Sequence, residues 1–153
     1  MPEPVTLTAR SARHGLPFLF AGQAQKEIFV NEALARLDAL IQPVVLGEAS
    51  NPPASAADGD SYIVATGAGG GWAGQDGAIA TWAHGAWLFA PPVDGACVHD
   101  ASTGALACFS AGTGWRGVAV PTPPAGGTTQ DAEARAAIAA ILDGLRSLGI
   151  FSS

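Results

Sequence analysis

Two stretches of the chain are near copies of one another, and this repetition restricts the fold more than any other feature. Residues 77–82 read Gly-Ala-Ile-Ala-Thr-Trp and run on through Ala-His-Gly-Ala to Trp87, while residues 104–109 read Gly-Ala-Leu-Ala-Cys-Phe and run on through Ser-Ala-Gly-Thr-Gly to Trp115. Each copy is a strand, a glycine-containing turn and a return strand that opens with tryptophan, the second beginning 27 residues after the first. A two-residue turn at His84-Gly85 predicts Trp82 directly opposite Trp87, and Phe109 and Trp115 repeat the pairing. Cross-strand aromatic pairs contribute up to about 1 kcal/mol each and fix register. The copies therefore predict a meander of antiparallel hairpins in which Trp82, Trp87 and Trp115 form an aromatic core.

Helical periodicity flanks this β-rich middle. On a 3.6-residue wheel Phe29, Val30, Ala33, Leu34, Leu37, Leu40 and Ile41 share one arc, with Asn31, Glu32, Arg36, Asp38 and Gln42 opposite. That pattern predicts an amphipathic helix that covers the sheet with its apolar arc and is ended by Pro43. Asn31 reads as an N-cap separating a short leading helix, 23–28, from the main one. Strands are expected at 44–46 and 62–65, a turn at Asp58-Gly59-Asp60 and a flexible loop over the glycines at 67–71. Beyond a Pro/Gly hinge at 121–127, Thr128 reads as the N-cap of a second helix, whose Ile138, Ile141, Leu142, Leu145 and Leu148 step by threes and fours. That stripe suits a short coiled-coil seam or packing onto the chain's own β domain. The fold class expected is α+β: an extended arm at 1–21, a helix-plus-hairpin domain at 22–120, the hinge at 121–127 and an assembly helix at 128–153.

The composition is 48% hydrophobic and 13% charged, about half the usual charged share. With a mean hydropathy of +0.27 and no apolar run of membrane length, such a chain is expected to share apolar surface between subunits as a homo-oligomer. The N-terminal arm and C-terminal helix are the expected contacts. Net charge is −6, and no Lys or Arg lies between Arg36 and Arg116, so no phosphate-neutralising patch for nucleic acid is expected. Met1-Pro2-Glu3-Pro4 carries no export signal, and neither secretion nor membrane insertion is expected. Cys97 and Cys108 flank a turn in register to face each other; a disulfide is geometrically feasible, but reduced thiols are the favoured reading without an export signal.

Residues that carry chemistry are sparse. His14, His84 and His99 are far apart and lack the spacing of zinc ligands. No serine sits in a nucleophile elbow, the glycines at 67–71 lack the lysine of a phosphate loop, and Cys97 with His99 lacks a third orienting group. Asp58 and Asp60 read as turn residues rather than cation ligands. No catalytic residue, metal or cofactor is expected. The aromatic density leaves one recognition alternative: an exposed ring stacking on sugar, with Trp72 beside the glycine loop and Tyr62 as the candidates.

Phe18-Leu19-Phe20-Ala21-Gly22-Gln23-Ala24-Gln25-Lys26-Glu27, continuing through Asn31-Glu32-Ala33-Leu34 and Leu37-Asp38-Ala39-Leu40, resembles a domain-of-unknown-function family of alphaproteobacterial phage and gene-transfer-agent fibre and spike proteins. The pieces at 53–64, 72–74 and 85–87 also look like its pattern, so the resemblance spans about 16–115. It implies a non-enzymatic structural part of a phage-like particle, assembled in the bacterial cytoplasm and displayed on the particle surface. A chain this short resembles a head-spike or tail-fibre base that holds an attachment fibre and so supports host adsorption. Its partners would be capsid or tail proteins and that fibre; beside the resemblance, the polar residues Gln23, Gln25, Lys26, Asn31 and Glu32 left by the helix are expected to dock on a neighbour or cap local backbone, capping being the favoured role of Asn31. The alternative is a carbohydrate-binding module contacting host capsular polysaccharide directly.

Overall fold

The structure is a computed structural model that describes residues 9–22 and 24–151. It is an α+β fold with a helix towards each end, and it divides into two compact units, one up to Pro92 and one from Val93.

In the first unit, helix α1 (Lys26–Leu40) is followed by short strands β1 (Val44–Val45) and β2 (Glu48–Ala49), then β3 (Ser61–Val64), β4 (Ile79–Ala83) and β5 (Ala86–Ala90). Strands β2 to β5 are hydrogen-bonded in sequence order; β2 runs parallel to β3, and the rest form the antiparallel meander expected. The β4–β5 register places Trp82 opposite Trp87 and closes on His84-Gly85, whose φ values of 51° and 83° match the two left-handed residues of the turn favoured in tight hairpins. Asp58 supports the strained position, accepting a hydrogen bond from the His84 amide at 3.0 Å.

The core of this unit is Val64, Ala68, Trp72 and Ala80, with Tyr62, Trp87 and Phe89 packed around it. Trp72 is 0% exposed. The expectation of an exposed ring beside a flexible glycine loop is therefore corrected: Gly70–Trp72 is a 3₁₀ turn, and the loop exists to bury the indole. Glycine is favoured at residue 70, whose φ is 58°, and a β-carbon on residue 69 would approach the Asn51 amide oxygen to 3.0 Å. The Gly69 amide also donates to the Ser50 carbonyl at 2.9 Å.

Helix α1 differs from its sequence reading in two ways. It is one continuous helix from Lys26, with Asn31 inside it rather than capping it. Its apolar arc also faces away from the unit: Phe29, Val30, Leu37, Leu40 and Ile41 are exposed, whereas Asp38 and Ala39 are buried. The reason is polar. The arm, described from residue 9, folds back on the helix, and its Ser11 hydroxyl and Arg13, His14 and Leu19 amides find acceptors in Asp38 and Asn31 on the polar arc.

The second unit contains β6 (Cys97–Asp100), β7 (Ala105–Ser110), β8 (Gly114–Gly117) and α2 (Ala132–Ser147). Strands β6, β7 and β8 pair antiparallel in that order, with Phe109 opposite Trp115. The β7–β8 turn has one residue more than its counterpart: the Thr113 amide bonds to the Ser110 carbonyl and Gly114 takes φ 73°, a turn closed by a left-handed glycine. Cys97 faces Cys108 in this register, and the two are bonded at 2.08 Å. The favoured expectation of free thiols is thus corrected; the sulfurs sit at a closely spaced cross-strand pair with Cα atoms 4.1 Å apart.

The N-cap of α2 is Asp131, not Thr128: its carboxylate accepts from the Ala134 amide at 2.9 Å. The segment at 121–127 is exposed, and Arg135 ties it to the helix through the Pro124 and Gly126 carbonyls. The end of the chain returns to the strands, where Gly149 accepts from the Leu106 amide at 2.7 Å and the buried Phe151 bridges to Val118.

Candidate functional site

The most elaborate polar arrangement of the first unit clasps the arm to α1. Residues 12–14 turn, Arg10 and Pro17 form an antiparallel bridge, and Ser11 and Phe18 are buried. The Asp38 carboxylate is the anchor. It accepts from the Ser11 hydroxyl at 2.6 Å and from the Arg13 and His14 amides at 2.9 and 2.7 Å. Burial alone would raise its pKa, but the Ser11 and backbone hydrogen bonds and the nearby His14 outweigh that penalty, holding the carboxyl below its ordinary value.

Arg13 completes the clasp from the other direction. α1 has no basic residue in its last turn, and the Arg13 guanidinium supplies that charge, donating to the carbonyls of Asp38, Ala39 and Gln42 at 3.1, 3.1 and 2.7 Å. Towards the other end of the helix, the Asn31 carboxamide pairs with both backbone groups of Leu19, accepting at 2.8 Å and donating at 3.1 Å. Asn31 therefore serves the arm rather than a helix cap or a neighbouring molecule. The Asp58-Gly59 turn supports the arm from below: a β-carbon on Gly59 would meet the Ala12 β-carbon at 3.1 Å. Phe18 meets His84 edge-on at 5.3 Å. Between arm, helix and hairpin lies a pocket of about 110 Å³, lined in part by Phe18, Asp38, Asp58, Trp82 and His84.

The polar groups expected to meet a partner sit around the start of α1. Gln25 and Lys26 are exposed, and Gln25 follows Ala24 in a pair of left-handed non-glycine residues, φ 65° and 58°, a costly conformation outside glycine. Glu32 is exposed and pairs with Arg36 at 2.7 Å. Gln23 lies outside the described residues. On α2 the apolar stripe is split along its length. Leu142 is buried and Leu145 half-buried, while Ile138, Ile141 and Leu148 are exposed. Own-domain packing takes one edge of the stripe and leaves the other outward.

The sugar candidates are placed differently from the expectation. Tyr62 is half-buried in an aromatic cluster, 5.8 Å from Trp72 and 6.1 Å from Trp87; Trp72 meets Trp87 perpendicularly at 5.0 Å. These rings are the hydrophobic core, so Trp72 presents no face to a ligand. Among the described residues no group of three His, Cys, Asp or Glu is arranged to hold a metal ion, and no helix is long and apolar enough to cross a membrane. Asp60 accepts from the Ala57 amide at 2.8 Å, in keeping with a turn.

Asp38 and the arm were missed by sequence reasoning. The signal was faint: a serine, an arginine and a histidine clustered ahead of a helix whose polar arc holds a single aspartate.

Fold and geometry together define a two-unit α+β module whose arm is hydrogen-bonded to its first helix and whose helices present apolar residues outward. Residues 30–116 match the family model described as protein of unknown function DUF2793, and the chain belongs to that family. No curated protein matches it.

Proposed function

We propose that the chain is a structural component of a phage-like or gene-transfer-agent particle. In this reading it is the base or adaptor of a head spike or tail fibre, which anchors an attachment fibre and so supports adsorption to the host cell. It works without catalysis, by joining copies of itself to other particle proteins. The observation that carries the reading is the outward apolar surface of the helices: Phe29 on α1 and Leu148 on α2 are 75% and 74% exposed. Leaving such side chains in water is unfavourable for a solitary chain with few charges, and it is natural for a subunit. The resemblance of the segment from Phe18 through Leu40 to fibre and spike proteins supplies the setting. The Cys97–Cys108 bond suits a protein displayed on a particle that leaves the reducing cytoplasm where it is assembled.

In this reading the labour is divided. The described part of the arm is occupied with α1, so partner contacts fall to Gln25, Lys26 and Glu32 near the start of that helix and to Ile138, Ile141 and Leu148 on α2. Direct binding of host polysaccharide is the weaker alternative, because the ring on which it depended, Trp72, is enclosed.

Imaging of particles made without this protein tests the proposal. Particles lacking surface appendages are expected, with normal DNA content; particles with intact appendages would overturn it.

A further inference from the structure

The outward face of α1 is organised as well as apolar. Val30, Ala33, Leu37 and Leu40 are spaced by three, four and three residues, the repeat by which helices interlock side chain against side chain. Val30, Leu37 and Leu40 are 41%, 51% and 46% exposed, and Ala33 is exposed as well. Phe29 and Ile41, 75% and 44% exposed, widen the stripe on either side. The opposite face of the helix, with Asn31, Asp38 and Ala39, is already committed to the arm and its own unit. A helix normally spends its apolar stripe on its own core. Here small and polar residues perform that task, satisfied by hydrogen bonds, and the stripe is left outward.

We infer that this face is the self-association surface of the protein, occupied by the same face of a second copy. Three observations select a copy over another occupant. Interlocking at this spacing needs a partner helix with the same repeat, and a second α1 has it by construction. Among the described residues of the helix, the charges bordering the stripe along its middle are Glu32 and Arg36, already paired at 2.7 Å, so two copies meet without net repulsion, and a strongly charged partner finds no complement. The area is also suitable. Half-exposed aliphatic and aromatic side chains of this number present on the order of 500 Å² of apolar surface. Together with a polar rim that approaches the roughly 800 Å² per partner of a stable interface.

The inference deepens the adaptor reading and rests on it only for its setting, since it names the surface through which copies join. Multi-angle light scattering of the full chain at about 100 µM is expected to give a multiple of the 15.3 kDa subunit mass. Phe29→Glu and Leu37→Glu each place a charge in the seam at exposed positions and should reduce the mass to that of one subunit, with an unchanged far-ultraviolet circular dichroism spectrum. Val93→Glu, at a 72% exposed position outside both helices, should leave the multiple intact. A wild-type protein of single-subunit mass would overturn the inference and hand the face to a different particle protein. Retention of the multiple by both α1 variants, or its loss in Val93→Glu as well, would overturn it equally. None of these results alters the particle-imaging test of the adaptor reading.

Discussion

Both helices leave apolar residues outward, yet each is anchored to its own unit in a different way. α2 turns Leu142 inward and begins with a conventional cap, the Asp131 carboxylate on the Ala134 amide. α1 turns Asp38 and Ala39 inward, begins at Gln25 with no side-chain cap, and is finished by a guanidinium from elsewhere in the chain. One helix is held by burial of hydrocarbon and the other by a polar clasp. The contrast teaches that an amphipathic pattern announces a face that avoids water without saying whose surface will cover it.

Leucine truncation should break or confirm this contrast most sharply. Leu142→Ala removes a buried side chain and should cost about 3 kcal/mol of stability in denaturant unfolding. Leu37→Ala, at a 51% exposed position, should cost under about 0.5 kcal/mol in solutions dilute enough to keep copies apart. Equal losses would show that α1 packs as α2 does.

Asp38→Ala should have the next largest effect, about 2 kcal/mol, because the Ser11 hydroxyl and the Arg13 and His14 amides lose their shared acceptor. Hydrogen exchange should show the loss of protection confined to the arm and α1. A loss that reached α2 equally would mean that the clasp is not local.

Acid should reproduce that effect without mutation. The folded pKa of Asp38 is lowered, so the carboxylate contributes stability that is fully present above its unfolded value of about 3.9. That contribution is lost as pH falls through the lower folded value. Arm amide protection should therefore decline below about pH 4, and Asp38→Asn, which cannot titrate, should flatten that dependence.

The smallest difference concerns the caps. Asp131→Ala should destabilise α2 by about 1 kcal/mol, whereas Gln25→Ala, which removes no side-chain cap, should leave the start of α1 unchanged in circular dichroism melts.

Much of the fold was legible because it is written in short-range patterns. The duplicated hairpins gave the cross-strand pairs Trp82–Trp87 and Phe109–Trp115, since strand alternation and turn length fix which residues face each other. The single extra residue before Trp115 accounts for the longer second turn. The facing of Cys97 and Cys108 was legible for the same reason, but their bonding was judged from the expected compartment rather than from geometry, and there the reading failed. Trp72 was misplaced because a glycine run reads as mobility, whereas here it gives the backbone room to pass Asn51 and deliver an indole to the core. The orientation of α1 was illegible for a related reason: no local rule links Ser11 to Asp38.

By itself the sequence determined two helices around paired hairpins and a surface poor in charge. Periodicity and turn chemistry act between neighbours a few residues apart, so they can be read without knowing the fold. Only the tertiary structure decided which side of α1 looks inward, that the described arm closes on its own helix, and that Trp72 is enclosed. Those outcomes depend on distant polar groups finding partners once buried, because an unpaired buried hydrogen-bonding group costs about 1–3 kcal/mol, and no rule acting between near neighbours in the chain registers that cost.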